Sequence, residues 1–231
     1  MRAAYGLWSQ AEHSTAAGGR ATGLAGNEAA AVRLNEPVHM PKLHLDDLMA
    51  GNARFAAGTP TAQQATAAGA EMAIGQAPYA TILSCSDSRV PVETVFDHGP
   101  GDIFVVRVAG NFVNDDGLAS IEFAVEKLKS TLVLVLGHSG CGAVDAAIAS
   151  LSGQTFPGSI GRLAEAVAPA AIAAKSQAGD WFANTIAENV RANVAALTAR
   201  STILAEAAAA GTILIRGAVY DIHSGTVELL T

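Results

Sequence analysis

From residue 79 onward the apolar positions change rhythm from segment to segment, and each rhythm implies an element. "YATILS" (79–84) and "TLVLVLGH" (131–138) are short, nearly unbroken apolar runs. Such runs predict strands covered on both faces. "DIFVVRVAG" (102–110) and "TILIRGAVYD" (212–221) predict two more, and "GTVELL" (225–230) a short last strand with Gly225 at its turn. Between the strands the period lengthens. In "GLASIEFAVEKLK" (117–129), Leu118, Ile121, Val125 and Leu128 recur at helical spacing. "CGAVDAAIASL" (141–151) predicts a helix directly after a strand, and the Ala-rich stretches 159–174 and 181–210 predict two others. In the last of these Trp181, Ile186, Val190, Val194 and Leu197 lie on one face. Nearer the N-terminus, Leu43, Leu45, Leu48, Met49 and Phe55 form an apolar stripe for a helix over 44–57.

Strands alternating with helices predict an α/β fold, a mainly parallel central sheet flanked by helices. Residues 1–39 carry no sustained period and predict a weakly ordered extension, leaving 40–231 as a single domain. Residues 58–77 predict a loop with a short helix.

Composition narrows the function classes. Charged residues make up 15% of the chain, against a usual value of about 25%, which points to surface covered by partner subunits. A homo-oligomer is therefore expected. The net charge is −7 and no basic block occurs, which argues against nucleic acid or an anionic membrane as partner. No apolar run reaches the roughly 18 residues that cross a bilayer. No secretory signal is recognisable, so a cytoplasmic location is expected. The only two cysteines, Cys85 and Cys141, do not make a disulfide framework, and in a reducing compartment they are inert core residues, ligands or nucleophiles.

Their neighbours decide between these. One strand runs into Cys85-Ser86-Asp87-Ser88-Arg89, and another into Gly137-His138-Ser139-Gly140-Cys141-Gly142. In an open parallel sheet, functional groups gather beyond the carboxyl ends of strands. If these two strands are neighbours, Cys85, His138 and Cys141 converge. Two thiolates and an imidazole suit Zn²⁺, and three protein ligands leave one position open, as in catalytic rather than structural sites. Asp87 is close enough in sequence to reach that fourth position, and Arg89 can hold its carboxylate in a bidentate pair instead. Asp87 is thus either a ligand of a closed site or the partner of Arg89 beside an open one.

"CSDSRVP" together with "GHSGCGAV" resembles the two signature segments of the β-class carbonic anhydrases, in the same order and at the same separation. The resemblance continues through "PGDIFVVRVAGNFV" and "GAVYDIHSGTVELL" and covers about residues 42–230. It implies reversible hydration of CO₂ to bicarbonate by attack of zinc-bound hydroxide, with one Zn²⁺ per chain on Cys85, His138 and Cys141. Asp87 and Arg89 are the implied catalytic pair, and the sheet is implied to extend through a dimer, which narrows the expected homo-oligomer to a homodimer or homotetramer. Gln76, nine residues before Cys85, matches a glutamine that hydrogen-bonds substrate in the plant-like branch, and Phe104 matches an aromatic wall of the pocket. Some bacterial members carry a Trp three residues before the first Cys, which forms a bicarbonate inhibitory site. Ile82 stands there in this chain, which places it with the branch that lacks the site. Three competing readings keep parts of the constellation: a carbon disulfide or carbonyl sulfide hydrolase, a structural zinc module with Asp87 as permanent ligand, and a thiol hydrolase using Cys141 and His138.

Overall fold

The computed structural model describes residues 40–61 and 75–231. The expected extension over 1–39 and most of the expected loop over 58–77 lie outside the described residues. Among the described residues the first element is helix α1 (Met40–Ala56), whose Pro41 sits in the first turn, where a missing N–H costs nothing. Then follow β1 (Ala80–Ser84), the single turn α2 (Val92–Val95), β2 (Ile103–Arg107), α3 (Asp115–Glu126), β3 (Leu132–His138) and α4 (Gly142–Ser150). Helices α5 (Ile160–Ala174), α6 (Trp181–Arg200) and α7 (Thr202–Ala209) precede the last strands, β4 (Leu214–Tyr220) and β5 (Val227–Leu229).

The strands form one sheet in the order β2-β1-β3-β4-β5. The first four are mutually parallel and β5 runs antiparallel to β4. β1 and β3 lie side by side, yet their onward connections lead to opposite sides of the sheet. The loops leaving these two strands therefore part and leave a crevice at their carboxyl ends. The expected α/β class with a mainly parallel sheet is the observed one.

Alternation along the central strands feeds two cores. Ile82, Leu134 and Leu136 join Leu45, Leu48, Val90 and Phe96 on one face. Leu83, Val133 and Val135 join Ile121, Val190, Leu197 and Leu204 on the other. Every residue of β3 is buried, as an unbroken apolar run on a central strand requires. Helix α1 packs on this chain's own core through Leu45 and Leu48. It is tied down by buried Asn52. The Asn52 amide donates to the carbonyls of Val95 and Gly225, and its carbonyl accepts from the N–H of Val227.

Several helix boundaries depart from the sequence reading, among them that of α1, which begins at Met40 instead of 44. The helix expected over 181–210 is two helices. Ser201 accepts a hydrogen bond from the N–H of Leu204, a competing N-cap that starts α7 afresh. Helix α3 starts two residues early because the Asn114 side chain caps Gly117, and it ends before Lys129, whose φ of 59° is left-handed. Helix α2 has no counterpart in the sequence reading because a single turn is too short to carry a period.

Helix α6 approaches the sheet closely because two strand positions have no side chain. A Cβ on Gly217 would stand 2.6 Å from Val190 Cγ1, and one on Gly137 would stand 2.7 Å from Val190 Cγ2. Both clashes are with the same valine. Gly217→Ala is expected to destabilise the protein by about 1–3 kcal/mol through overpacking, and adding Val190→Ala should recover part of that loss. Urea denaturation of the two single variants and the double variant measures the coupling. Strict additivity would show that the contact is not what sets the helix–sheet distance.

Candidate metal centre

Cys85 follows the last residue of β1, His138 is the last residue of β3, and Cys141 caps α4. The sheet register sets Ser84 beside Leu136, so both strands deliver their ends to the same crevice. Between His138 and Cys141 the chain must reverse into a helix. Gly140 makes that turn at φ 67°, a conformation a side chain would disfavour. The sulfurs of Cys85 and Cys141 and a ring nitrogen of His138 all lie within 4.8 Å of one another. All three residues are buried, His138 completely.

The imidazole is oriented from behind. His138 Nδ1 lies 3.0 Å from the carbonyl oxygen of Ser139, to which it donates, so Nε2 is left as the acceptor. That Nε2 is buried with no hydrogen-bond partner. A buried acceptor without a partner, facing two thiols, is what a metal ligand looks like before its fourth neighbour is considered. Two sulfurs and one imidazole nitrogen at this spacing can hold a metal ion.

The thiols do not share their protons equally. Contact with the Cys141 thiol, then with His138 and the N–H groups of Gly110 and Asp87, holds Cys85 well below the ordinary thiol range. The same contact, together with burial, pushes Cys141 up, opposed by the first-turn N–H groups of Val144 and Ala143. Gly110 N–H stands 3.3 Å from Cys85 Sγ. One thiolate is thus prepared by the protein itself.

Asp87 is paired with Arg89 in a two-pronged contact. Arg89 Nε donates to Asp87 Oδ1 at 3.0 Å and Nη2 to Oδ2 at 2.8 Å, while the Arg89 backbone N–H adds a third bond at 2.9 Å. The Arg89 side chain, more than its N–H, pulls the Asp87 carboxyl well below the usual carboxylate range. Asp87 Oδ2 lies 3.9 Å from His138 Nε2, at the edge of the three-residue cluster. Arg89 Nη2 also donates to the carbonyl of Gly140 at 3.2 Å. One guanidinium therefore links the loop carrying Cys85 to the turn carrying Cys141. The Arg89 side chain is 55% exposed, and an ion pair so open to water contributes little to stability. Its geometry calls for another explanation.

Some residues around the cluster escaped the sequence reading. Arg107, at the end of β2, donates from Nε to the carbonyl of Cys85 and from Nη2 to that of Asp87. Its signal was a lone charge closing the apolar run of β2. Ser139 donates its hydroxyl to Asp221 and accepts from the N–H of Ile222, which pins the turn after His138 to the end of β4. The structure does not bring Gln76 or Phe104 to this chain's own cluster. Gln76 is exposed and precedes β1, whereas Cys85 follows it. Phe104 pairs with Thr81, four residues and about 13 Å of strand before Cys85. It lines a groove of about 320 Å³ along the outer edge of β2, with Asn114, Asp116 and Ser120.

The carbonic anhydrase family model matches residues 80–227. Carbonic anhydrase 2 of Mycobacterium tuberculosis is 41% identical over 184 residues, 79% of this chain and 89% of that protein. A carbonic anhydrase of Mycolicibacterium smegmatis is 41% identical over 181 residues, 78% of this chain and 88% of the relative. Among solved structures, a tetrameric β-carbonic anhydrase of Sordaria macrospora superposes with a TM-score of 0.62 at 28% identity, over 69% of this chain and 84% of that one. The Coccomyxa β-carbonic anhydrase, solved with acetazolamide, superposes with a TM-score of 0.61 at 26% identity, over 89% and 87%. With the matched segment spanning the sheet and every residue of the buried cluster, the chain belongs to the β-carbonic anhydrase family of enzymes.

Proposed function

We propose that the chain catalyses the reversible hydration of CO₂ to bicarbonate and a proton, with one zinc ion held by Cys85 Sγ, His138 Nε2 and Cys141 Sγ. The observation that carries the reading is the partnerless His138 Nε2 facing two buried sulfurs, with the Asp87–Arg89 pair at the rim. This donor set suits zinc, which when bound supplies a Lewis acid that makes water nucleophilic near neutral pH.

The chain's own residues do the rest. Arg89 keeps Asp87 ionised and turned toward itself. In that position Asp87 accepts a hydrogen bond from the attacking water and aims its lone pair at the CO₂ carbon. Arg107 holds the backbone carbonyls on either side of Ser86, so Asp87 cannot drift. Ala143, Val144, Val167 and Ile186 pack around the thiols and keep this face of the site apolar, as suits a nonpolar substrate. Should the Arg89 pair open, Asp87 becomes the alternative fourth ligand of a closed site.

Gln76 and Phe104 take part in substrate binding only if a second subunit presents them, because in their own chain they sit at the far end of β1 and β2. A homodimer or homotetramer supplies that subunit. The open edge of β2, together with exposed Leu43, Phe123, Ile160 and Ile172, offers apolar surface for such contacts. No described helix is long and apolar enough to cross a membrane. Two free thiols that must stay reduced to act as ligands favour the cytoplasm.

The purified protein should contain one zinc per chain, and Cys85→Ala, His138→Ala and Cys141→Ala should each lose zinc and CO₂ hydration together. Elemental analysis beside stopped-flow hydration decides, and full zinc in any one variant removes that residue from the ligand set. Arg89→Ala should separate the two properties. Zinc stays near the wild-type level while hydration collapses, because Asp87 is free to occupy the metal, whereas Asp87→Ala keeps its zinc and loses only the orienting group, about 10²–10⁴-fold. An active Arg89→Ala variant, with water still bound in its zinc-edge absorption spectrum, would refute the switch. Finally, residues 40–231 alone should turn over like the full chain and sediment as a dimer or tetramer. A 23.4 kDa monomer for the full chain at micromolar concentration would exclude a subunit-shared site.

A further inference from the structure

Two asparagines on the buried face of α6 have no part in the mechanism above. Asn189 and Asn193 are 2% and 8% exposed and stand one helical turn apart, on the same helix as the buried apolar residues Ile186, Val190 and Leu197. Burying an amide among such neighbours is unfavourable unless its hydrogen bonds are made. Here they are made, and all in one direction. Asn193 Nδ2 donates to Asn189 Oδ1 at 3.1 Å and to the Asn189 carbonyl at 2.8 Å. Asn189 Nδ2 donates to the carbonyl of Gly110 at 2.8 Å. Asn193 Oδ1 accepts from the N–H of Val113 at 2.7 Å. The pair thus grips both ends of the four-residue loop 110–113.

That loop reaches the sulfur of Cys85 through a backbone amide. Gly110 N–H is the donor 3.3 Å from Cys85 Sγ. The loop's backbone is unusual at two successive residues, with φ of 87° at Gly110 and 41° at Asn111. A Cβ on Gly110 would stand 2.9 Å from Ala143 Cβ. A left-handed, non-glycine residue such as Asn111 persists only where its surroundings over-determine it. The two α6 amides supply that constraint.

We propose that Asn189 and Asn193 are positioning residues for the sulfur of Cys85. By fixing loop 110–113 they aim the Gly110 N–H at Sγ, and this hydrogen bond draws electron density from the sulfur and limits what it donates to the metal. The inference rests on the ligand set proposed above. It extends the device that orients His138, whose ring is held by the Ser139 carbonyl, to a thiolate ligand held by a backbone amide.

The test uses the full-length protein loaded with cobalt(II) in place of zinc, because a sulfur-to-cobalt charge-transfer band reads the sulfur directly. In Asn189→Ala the band should move to lower energy because the sulfur regains electron density, and metal affinity by chelator competition should fall about 10- to 100-fold because Sγ loses the donor that positions it as a thiolate. Asn193→Ser should shift the band in the same direction. Asn184→Ala, which removes a different amide of the same helix bonded to the Ala178 carbonyl, should leave it in place. A pair that only fastened α6 to the loop would lower the melting temperature without moving the band. An unmoved band in folded, cobalt-loaded Asn189→Ala overturns the proposal, and if that variant does not fold, Asn193→Ser decides on the same reading. A wild-type protein that binds cobalt without any sulfur band would overturn the ligand assignment itself, a distinct result.

Discussion

Packing two thiols and an imidazole against one another, out of water, is the constraint on which the rest of this structure depends. Each group presents lone pairs that burial leaves without solvent, and one of the thiols is already favoured as a thiolate. The arrangement is sustainable only if lone pairs and charge are shared in a common centre and if the surrounding backbone supplies every remaining hydrogen bond. The sheet order answers the first need by bringing the ends of β1 and β3 together. The loops answer the second, with the Ser139 carbonyl behind the imidazole and the Gly110 N–H beside the sulfur.

Arg89 adds a mechanical role to its electrical one. Through Asp87 and the Gly140 carbonyl it spans the crevice between the two loops that carry the cluster. The two loops, brought together by the register of β1 and β3, are thus also tied outside the buried centre by a side chain that solvent reaches. The contact lies at the rim of the crevice, with the Arg89 side chain half exposed.

Much of this was legible in the sequence, for reasons that differ by element. β3 announced itself because a strand buried on both faces is mostly apolar, and Leu132–Leu136 are uniformly so. Cys85, His138 and Cys141 were legible because rare, reactive residue types stood at predicted strand ends. The break at Ser201 was not, since a serine inside an Ala-rich helix caps a new one only if its χ1 and the local turn cooperate. Arg107, Asn189 and Asn193 were equally hidden. Their partners are backbone groups 20 to 80 residues away, and no local period records a carbonyl that distant. Gln76 and Phe104 carried a family resemblance but no geometry, and within one chain they lie on the wrong side of the sheet's length from the cluster.

The tie made by Asn52 links the order of synthesis to the completion of the fold. The Asn52 side chain, near the start of the described chain, receives a hydrogen bond from the N–H of Val227, 175 residues later. Contacts of such sequence separation form late, because the loop they close must be ordered first. A nascent chain emerging from the ribosome has α1 available from the outset, yet its buried amide stays incompletely bonded until β5 has left the exit tunnel. β5 is therefore the latch on α1, although the apolar stripe of that helix is already covered by β1, β3 and the Val90–Phe96 segment.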